Sequence, residues 1–380
     1  MVEETWSLDD GFGDFKGFNG KRSIILPNYE GRWQPIPQND VEGDFEERQS
    51  HITYFEQVKE GELPRKRLVG LGAQLLGKNV QWDGQENKHM DERKYKVMFS
   101  TILGLMAEDY MDEEIHINPL VFSIPVDQET EERKKQIAKL VKGEHKIHLQ
   151  LADGTVIEKT VHIDSLVIKN QPFGSYCYHV LDEKGNIKDS FVKGKVTAIF
   201  DLGARTLNGL LMRGFAQQSV ESGFSFTEPT GMYSAWEVLQ DEIKGATERH
   251  ISLPKVKLVA SEGEGGGNGY LTDGTDVRHL IEDVYEEHSN ANLTIFERRL
   301  ISVKDEIDDL LVTGGGSGVL SRHLVPQMKR RFSNSKVVTL GRTATAEGLR
   351  RYGLMIRRKM AKDKQKAVNT PPAQQEATSK

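Results

Sequence analysis

Apolar positions in this chain follow two periods, one of short runs bounded by turn residues and one of longer stretches at helical spacing. Residues 7–26 predict a hairpin: an Asp-Gly turn, then Phe15 to Phe18, a second turn at Asn19-Gly20, then Ser23 to Leu26. Residues 27–67 are polar and turn-rich, and Lys66 to Gly72 predicts a short strand. Tyr95, Met98, Phe99, Ile102, Leu105 and Met106 share one face of a helix over 91–111. Ile115 to Pro125 predicts a buried strand, and Thr130 to Lys142 a polar helix whose opening Thr-Glu-Glu-Arg is compatible with a helix N-terminus. Lys146–Leu151, Val156–Ile163, Ser165–Lys169 and Val196–Asp201 predict strands, and so does the stretch around Cys177. Helices are predicted over 230–247, 294–306, 317–332 and 344–360, with strands at 309–313 and 336–338. Residues 262–268 predict a glycine-rich surface loop, and Lys362 to Lys380 a disordered polar tail.

At 380 residues with 37% hydrophobic and 28% charged positions, the chain is long enough for two ordinary domains with real cores. A net charge of -6 supplies no global field toward nucleic acid or an anionic membrane. The single cysteine excludes an internal disulfide framework and a cysteine-rich zinc site, and points to a reducing compartment. The start Met-Val-Glu-Glu has no basic segment followed by an apolar one, so no signal peptide is expected. No apolar run approaches the ~20 residues of a membrane span, and a cytoplasmic protein is expected.

Three glycine-bearing turns carry the candidate chemistry. Asp10-Gly11 and Asp201-Leu202-Gly203 each follow a hydrophobic run and precede more strand. Val312-Thr313-Gly314-Gly315-Gly316-Ser317 runs from a strand into a helix. Glycine lets backbone N–H groups approach phosphate, and carboxylates hold the water shell of Mg²⁺. There is no Gly-x-x-x-x-Gly-Lys-Ser/Thr loop. Each turn alone is also what an ordinary hairpin or helix entry looks like.

Their order resembles the actin-like ATPase superfamily, most closely its plasmid-segregating ParM-like branch. Asp10-Gly11 with Lys16 is similar to the first phosphate motif, Asp201 to Leu207 to the second, and Val312 to Ser317 to the adenosine motif. Thr345 to Gly353 is similar to the small-residue helix that closes these proteins, and Glu131-Glu132-Arg133-Lys134-Lys135 to the segment bearing the water-activating glutamate. The resemblance spans roughly residues 5–355. One departure is plain: Phe12, Gly13 and Asp14 stand where small or hydroxylated residues are usual.

The resemblance implies an α/β fold of two lobes, each a mixed sheet with helices, with the nucleotide in the central cleft. Lobe I would be 1–190, with an insertion at about 27–90 and helix 344–360 packed back on it. Lobe II would be 191–343, and 361–380 a disordered tail. Asp10 and Asp201 would hold Mg²⁺ and position water, with Glu132 (or its neighbour Glu131) polarising that water. Gly11, Gly13, Lys16, Gly203, Ala204, Arg205 and Thr206 would line the phosphates of ATP or ADP. Gly314, Gly315, Gly316 and Ser317 would hold the adenosine, and Asp241 and Glu242 the ribose. The implied function is a bacterial cytoplasmic ATPase that polymerises head to tail. Its filament would move plasmid or phage DNA through a DNA-binding adaptor on a centromere-like site, with no direct DNA or membrane contact. A sugar kinase or a non-polymerising chaperone- or division-type ATPase of the superfamily is the alternative.

Overall fold

The computed structural model describes residues 3–35, 48–57, 63, 65–76, 80–82, 91–217, 223–261 and 267–369. In chain order the first part contains β1 (Glu3–Asp10), β2 (Asp14–Phe18), β3 (Ser23–Pro27), β4 (Tyr29–Arg32), β5 (Ile52–Phe55), β6 (Lys66–Val69), α1 (Leu71–Leu76) and β7 (Val80–Trp82). It continues through α2 (Glu92–Ala107), β8 (Glu114–Ile124), α3 (Glu131–Val141), β9 (Gly143–Gln150), β10 (Val156–Ile163), β11 (Leu166–Asn170) and α4 (Gln171–Val180). The second part begins β12 (Val196–Leu202), β13 (Leu207–Arg213), β14 (Ala216–Gln217), β15 (Phe226–Glu228), α5 (Met232–Thr247), α6 (Leu253–Val259) and α7 (Arg278–Leu300). It closes with β16 (Asp309–Thr313), α8 (Gly315–Val319), α9 (Ser321–Arg331), β17 (Lys336–Thr339) and α10 (Ala344–Asn369).

Two mixed sheets result, one from β1–β11 and one from β12–β17. Each is built on the same plan. The hairpin β1–β2 lies antiparallel, and β1 runs parallel to β8. The hairpin β12–β13 lies antiparallel, and β12 runs parallel to β16. β12 is buried on both faces, which fits its unbroken apolar sequence around Asp201. Strands β5, β6, β4 and β7 extend the first sheet beyond β9. Within α2, Tyr95 and every residue from Val97 to Ala107 are buried, because this helix is apolar on nearly all sides and fills the first core. The second core is centred on Phe200, Phe296 and Phe332, with Leu310 and Val312 of β16 beneath them.

The two sheets are joined through a helix crossing. α4 buries Phe173, Tyr176, Cys177 and Val180 with Ile199, Leu210, Met212 and Leu311 of the second sheet. α10 lies against β1, β8 and α4. A Cβ on Gly348 would stand 1.9 Å from the Gly174 carbonyl oxygen, so the two backbones meet at glycines. Ser175 Oγ links the layers by hydrogen bonds of 2.9 Å with Thr313 Oγ1 and 2.8 Å with Thr345 Oγ1.

Several expectations need correction. Cys177 lies in a helix, not a strand: Asn170 caps α4 by accepting from Phe173 N at 3.0 Å, and Pro172 occupies its first turn. The helix expected from 294 begins at Arg278, and the one expected over 317–332 is two helices meeting at Leu320. α10 continues to Asn369, so the first part of the expected disordered tail is helical. Residues 370–380, most of the glycine-rich loop (262–266) and parts of the 27–90 insertion fall outside the described residues.

Candidate functional site

The hairpin turns β1–β2 and β12–β13 face each other across the gap between the sheets. A Cβ on Gly13 would stand 2.8 Å from Ala204 Cβ. Gly203 N donates to Thr206 O at 2.8 Å inside the second turn. The start of α5 braces that turn from behind, with Gly231 N on Arg205 O at 2.9 Å and Tyr233 N on Ala204 O at 2.8 Å. Asn28 braces the first turn, donating from its backbone to Gly13 O at 3.0 Å and from Nδ2 to Phe12 O at 3.3 Å.

Strand alternation decides which carboxylate of Asp9-Asp10 enters this gap. Asp10 shares the face of Trp6 and Leu8 and accepts from Tyr95 OH of α2 at 3.3 Å. Asp9 points the other way. Its Oδ1 accepts from Ser123 Oγ at 2.9 Å and Gln171 Nε2 at 3.0 Å, and its Oδ2 from Lys16 Nζ at 3.1 Å. Asp201 is the charge it meets. Burial, then the Asp9 charge, pushes the Asp201 carboxyl up to about 7, while Lys16 and a hydrogen bond from Asn208 pull it down. The structure therefore sets the Asp9 charge against Asp201, while Asp10, the residue expected from the Asp-Gly motif, accepts from Tyr95. Asn208 extends the network, with Nδ2 3.4 Å from Gln171 Oε1 and 3.2 Å from Thr206 Oγ1.

Lys16 is buried among these acids. Burial opposes its charge, but Asp9 and Asp14 outweigh that and raise its pKa. Asp14 bridges the gap to two cations of the other side: Arg342 at 2.7 Å and Lys257 of α6 at 3.8 Å. Burial alone would raise the Asp14 carboxyl, yet Lys257, Arg342 and Lys16 hold it well below the usual carboxylate range. Lys257 Nζ also lies over the rings of Tyr29 (5.7 Å) and Trp236 (5.6 Å). Phe12 is buried, with the half-buried Arg205 guanidinium 5.9 Å from its ring centroid.

The third turn adjoins Asp201. Gly314 has φ +91°, and a Cβ there would stand 2.5 Å from Asp201 Oδ1 and 2.3 Å from Leu202 O. Only glycine fits that backbone and that approach. Gly315 and Gly316 open α8, and Arg342 reaches within 3.9 Å of where a Gly315 Cβ would be. Ser317 Oγ is buried without a hydrogen-bond partner among the described residues.

Glu131 and Glu132 begin α3 behind the Thr130 cap, and both are exposed. The preceding turn, Val126–Gln128, reaches the second sheet, where Asp127 N donates to Thr227 Oγ1 at 3.2 Å. So the glutamates sit at the boundary between the sheets, but the structure does not bring them onto Asp9 or Asp201. Asp241 and Glu242 are exposed on α5. They lie about 14 Å along the helix axis from Met232, which touches Gly316.

Residues 7–174 match the family model described as the actin like proteins N terminal domain. A subunit of a 15-stranded ParM filament from Clostridium botulinum is 17% identical, with 93% of this chain and 100% of that chain covered and a TM-score of 0.75. The actin-like protein Alp7A is 15% identical over 96% of this chain and 100% of that one, with a TM-score of 0.69. The archaeal actin homologue Ta0583, in complex with ADP, is 17% identical over 93% and 98%, with a TM-score of 0.63. The chain has the actin-like fold. Among curated protein sequences, none matches it.

In this actin-like cleft, sequence reasoning missed Asp9, Gln171, Asn208, Lys257 and Arg342. For Asp9 a signal existed. Asp201 stands two residues before its glycine, and so does Asp9, whereas Asp10 stands one before. Nothing local marks the others, which arrive from α4, β13, α6 and the segment after β17.

Proposed function

We propose that this actin-like protein binds Mg²⁺–ATP between its hairpins, hydrolyses it, and uses the cycle to assemble and lose head-to-tail filaments that move plasmid or phage DNA. The observation that carries the reading is the meeting of Asp9 and Asp201, from equivalent hairpins of the two sheets, beside a glycine turn. A buried carboxyl whose ionisation is opposed by a neighbouring carboxylate favours a cation between the two. The buried Ser317 Oγ, without a partner among the described residues, and the side-chain-free Gly314–Gly316 turn fit a polar planar ligand lying on β16. The residues present therefore fit the nucleotide and its metal.

Bound there, Mg²⁺ would shield the phosphate charge that opposes attack by water. Asp9 and Asp201 would hold its water shell, with Asp9 fixed by Ser123 and Gln171. Asp10 supports this from behind through Tyr95. Lys16 would offset phosphate charge, and the turns Gly11–Gly13 and Gly203–Thr206 would face the phosphates from opposite sides. Gly314 to Ser317 would seat the adenosine, with Asp241 and Glu242 turned to the ribose. Glu132 would polarise the attacking water once closure draws the start of α3 inward.

Self-association is supported by the ParM filament subunit that shares the fold. A head-to-tail contact is heterologous, and one that fails to close gives an open filament. The adaptor that couples it to a centromere-like DNA site would be a separate protein, since a chain of charge -6 is poorly suited to phosphate contact. Among the described residues no helix is long and apolar enough to cross a membrane. Sedimentation with ATP, ADP and a nonhydrolysable analogue tests the proposal. ATP-dependent pelleting with phosphate release is expected. Hydrolysis stimulated by a sugar, without pelleting, would replace the filament reading with a kinase.

A further inference from the structure

At the opposite end of β8 from the cleft, Glu114, His116 and His162 form a second polar cluster whose ligand atoms all lie within 4.8 Å of one another. It arises from strand geometry. Glu114 and His116 alternate with the buried Ile115 and Ile117, so both point off the outer face of β8. His162 is the register partner of His116 on the parallel neighbour β10 and alternates with buried Val161 and Ile163. The two imidazoles stack with centroids 4.5 Å apart and planes 9° apart.

Three features set the cluster apart from an ordinary surface pair. First, His116 Nδ1 is 3.1 Å from Asp164 Oδ2, which holds the proton on Nδ1 and leaves the Nε2 lone pair free. A carboxylate behind a histidine is the usual support of a metal-binding imidazole. Second, His116 Nε2 and His162 Nε2 are both buried and without a hydrogen-bond partner among the described residues. Glu114 Oε1 stands 3.6 Å and 2.8 Å from them without making a hydrogen bond to either. Third, neighbouring acids on the adjacent strands have cations of their own. Glu3, opposite His116 on β1, has Arg357, and Glu144, opposite His162 on β9, has Lys146.

We propose that Glu114, His116 and His162 bind a first-row divalent cation of the zinc type, with Asp164 orienting His116. Two imidazole nitrogens and one carboxylate oxygen form a three-ligand set that leaves a fourth position for water or a group from another molecule. Ligand atoms on a tetrahedral zinc stand about 3.3 Å apart; Glu114 Oε1 lies 2.8 and 3.6 Å from the two nitrogens, and all three ligand atoms lie within 4.8 Å of one another. Imidazole donors favour zinc, cobalt or nickel over magnesium. The cluster lies about 23 Å along β8 from Ser123 at the cleft, so it is separate from the nucleotide's metal. Its ion would tie the start of β8 to β10, two parallel strands joined in sequence only through α3 and β9.

The test uses full-length protein without a histidine tag, stripped with chelator and titrated with Zn²⁺ by calorimetry and with Co²⁺ by visible absorption. We expect one equivalent bound at micromolar affinity or tighter, a tetrahedral cobalt spectrum, and no response to Mg²⁺ that depends on these residues. H116A/H162A should lose the binding, and D164N should weaken it about 10- to 100-fold. These side chains are partly exposed, so unchanged circular dichroism and Tm without metal should show the variants fold. Zinc affinity no tighter than millimolar, or equal in wild type and H116A/H162A, would overturn the proposal. A rise in Tm with Zn²⁺ in wild type, lost in H116A/H162A, would support it independently.

Discussion

The two cleft hairpins share a backbone plan and differ in what surrounds the equivalent carboxylate. In the first, Asp9 is paired in register with Lys16 across the hairpin and with Ser123 on the parallel strand. In the second, Asp201 is paired with Asn208 and Thr313. Asp9 therefore has a cation in direct contact and two further hydrogen-bond donors, while Asp201 has one neutral donor, a like charge and Lys16 acting without a direct contact. Burial first, and then the Asp9 charge, push the Asp201 carboxyl up to about 7. The turns differ too. The first ends on Asp14, which reaches across to Lys257 and Arg342; the second ends on Thr206, which stays within its own network.

The sharpest test separates the two members of Asp9-Asp10. Asp9→Ala and Asp201→Ala should each cut ATP turnover by about 100-fold or more, as loss of an electrostatic centre does. Asp10→Asn should leave most turnover intact and cost about 1 kcal/mol of stability through its hydrogen bond to Tyr95. Equal losses from Asp9→Ala and Asp10→Asn would erase the equivalence of the hairpins.

The crossing that carries both hairpins comes next. Gly348→Ala would put a methyl 1.9 Å from Gly174 O, a backbone atom that cannot step aside cheaply. A loss of about 1–3 kcal/mol is expected from such overpacking, read as a fall in denaturant midpoint. An unchanged midpoint would mean that α4 and α10 slide apart at no cost.

A smaller effect belongs to the bridge that only the first hairpin makes. Asp14→Ala should widen the nucleotide-free cleft, seen as a larger radius of gyration in solution scattering. The charged hydrogen bond lost is worth about 1.5–3 kcal/mol when buried, and less here because half of Arg342 is exposed. Identical scattering profiles would show that the bridge follows closure and does not hold it.

The last is a pH effect confined to the second hairpin. Asp201 has a folded pKa raised from 3.8 to about 7, so the folded chain holds a proton that the unfolded chain releases. The stability this confers is present in full below about pH 4 and is lost as pH rises through about 7. Asp201→Asn does not ionise. In chelating buffer its Tm should gain on wild type between pH 5 and pH 8, and a constant difference would contradict the shift.

Much of the fold was legible locally because each element states its own period. The hairpin at 7–26, the buried strand near 115–125 and the glycine turn after β16 all follow from runs and turn residues. Where the period was short or mixed, the reading failed. Gln171 to Val180 is apolar enough to pass for a strand, and only Asn170 and Pro172 betray the helix.

By itself, the sequence determined that two Asp-bearing hairpins and one glycine turn occur in actin-like order, because turn chemistry and hydrophobic runs are local. Only the tertiary structure decided that Asp9 faces Asp201 while Asp10 faces Tyr95. The side-chain period of a strand is two, and which face meets the cleft depends on α2 covering one side of β1 and α10 the other. It also decided that Asp14 is bridged from the second lobe and that His116 and His162 lie side by side. Both are contacts between residues far apart in the chain, and no local pattern encodes them.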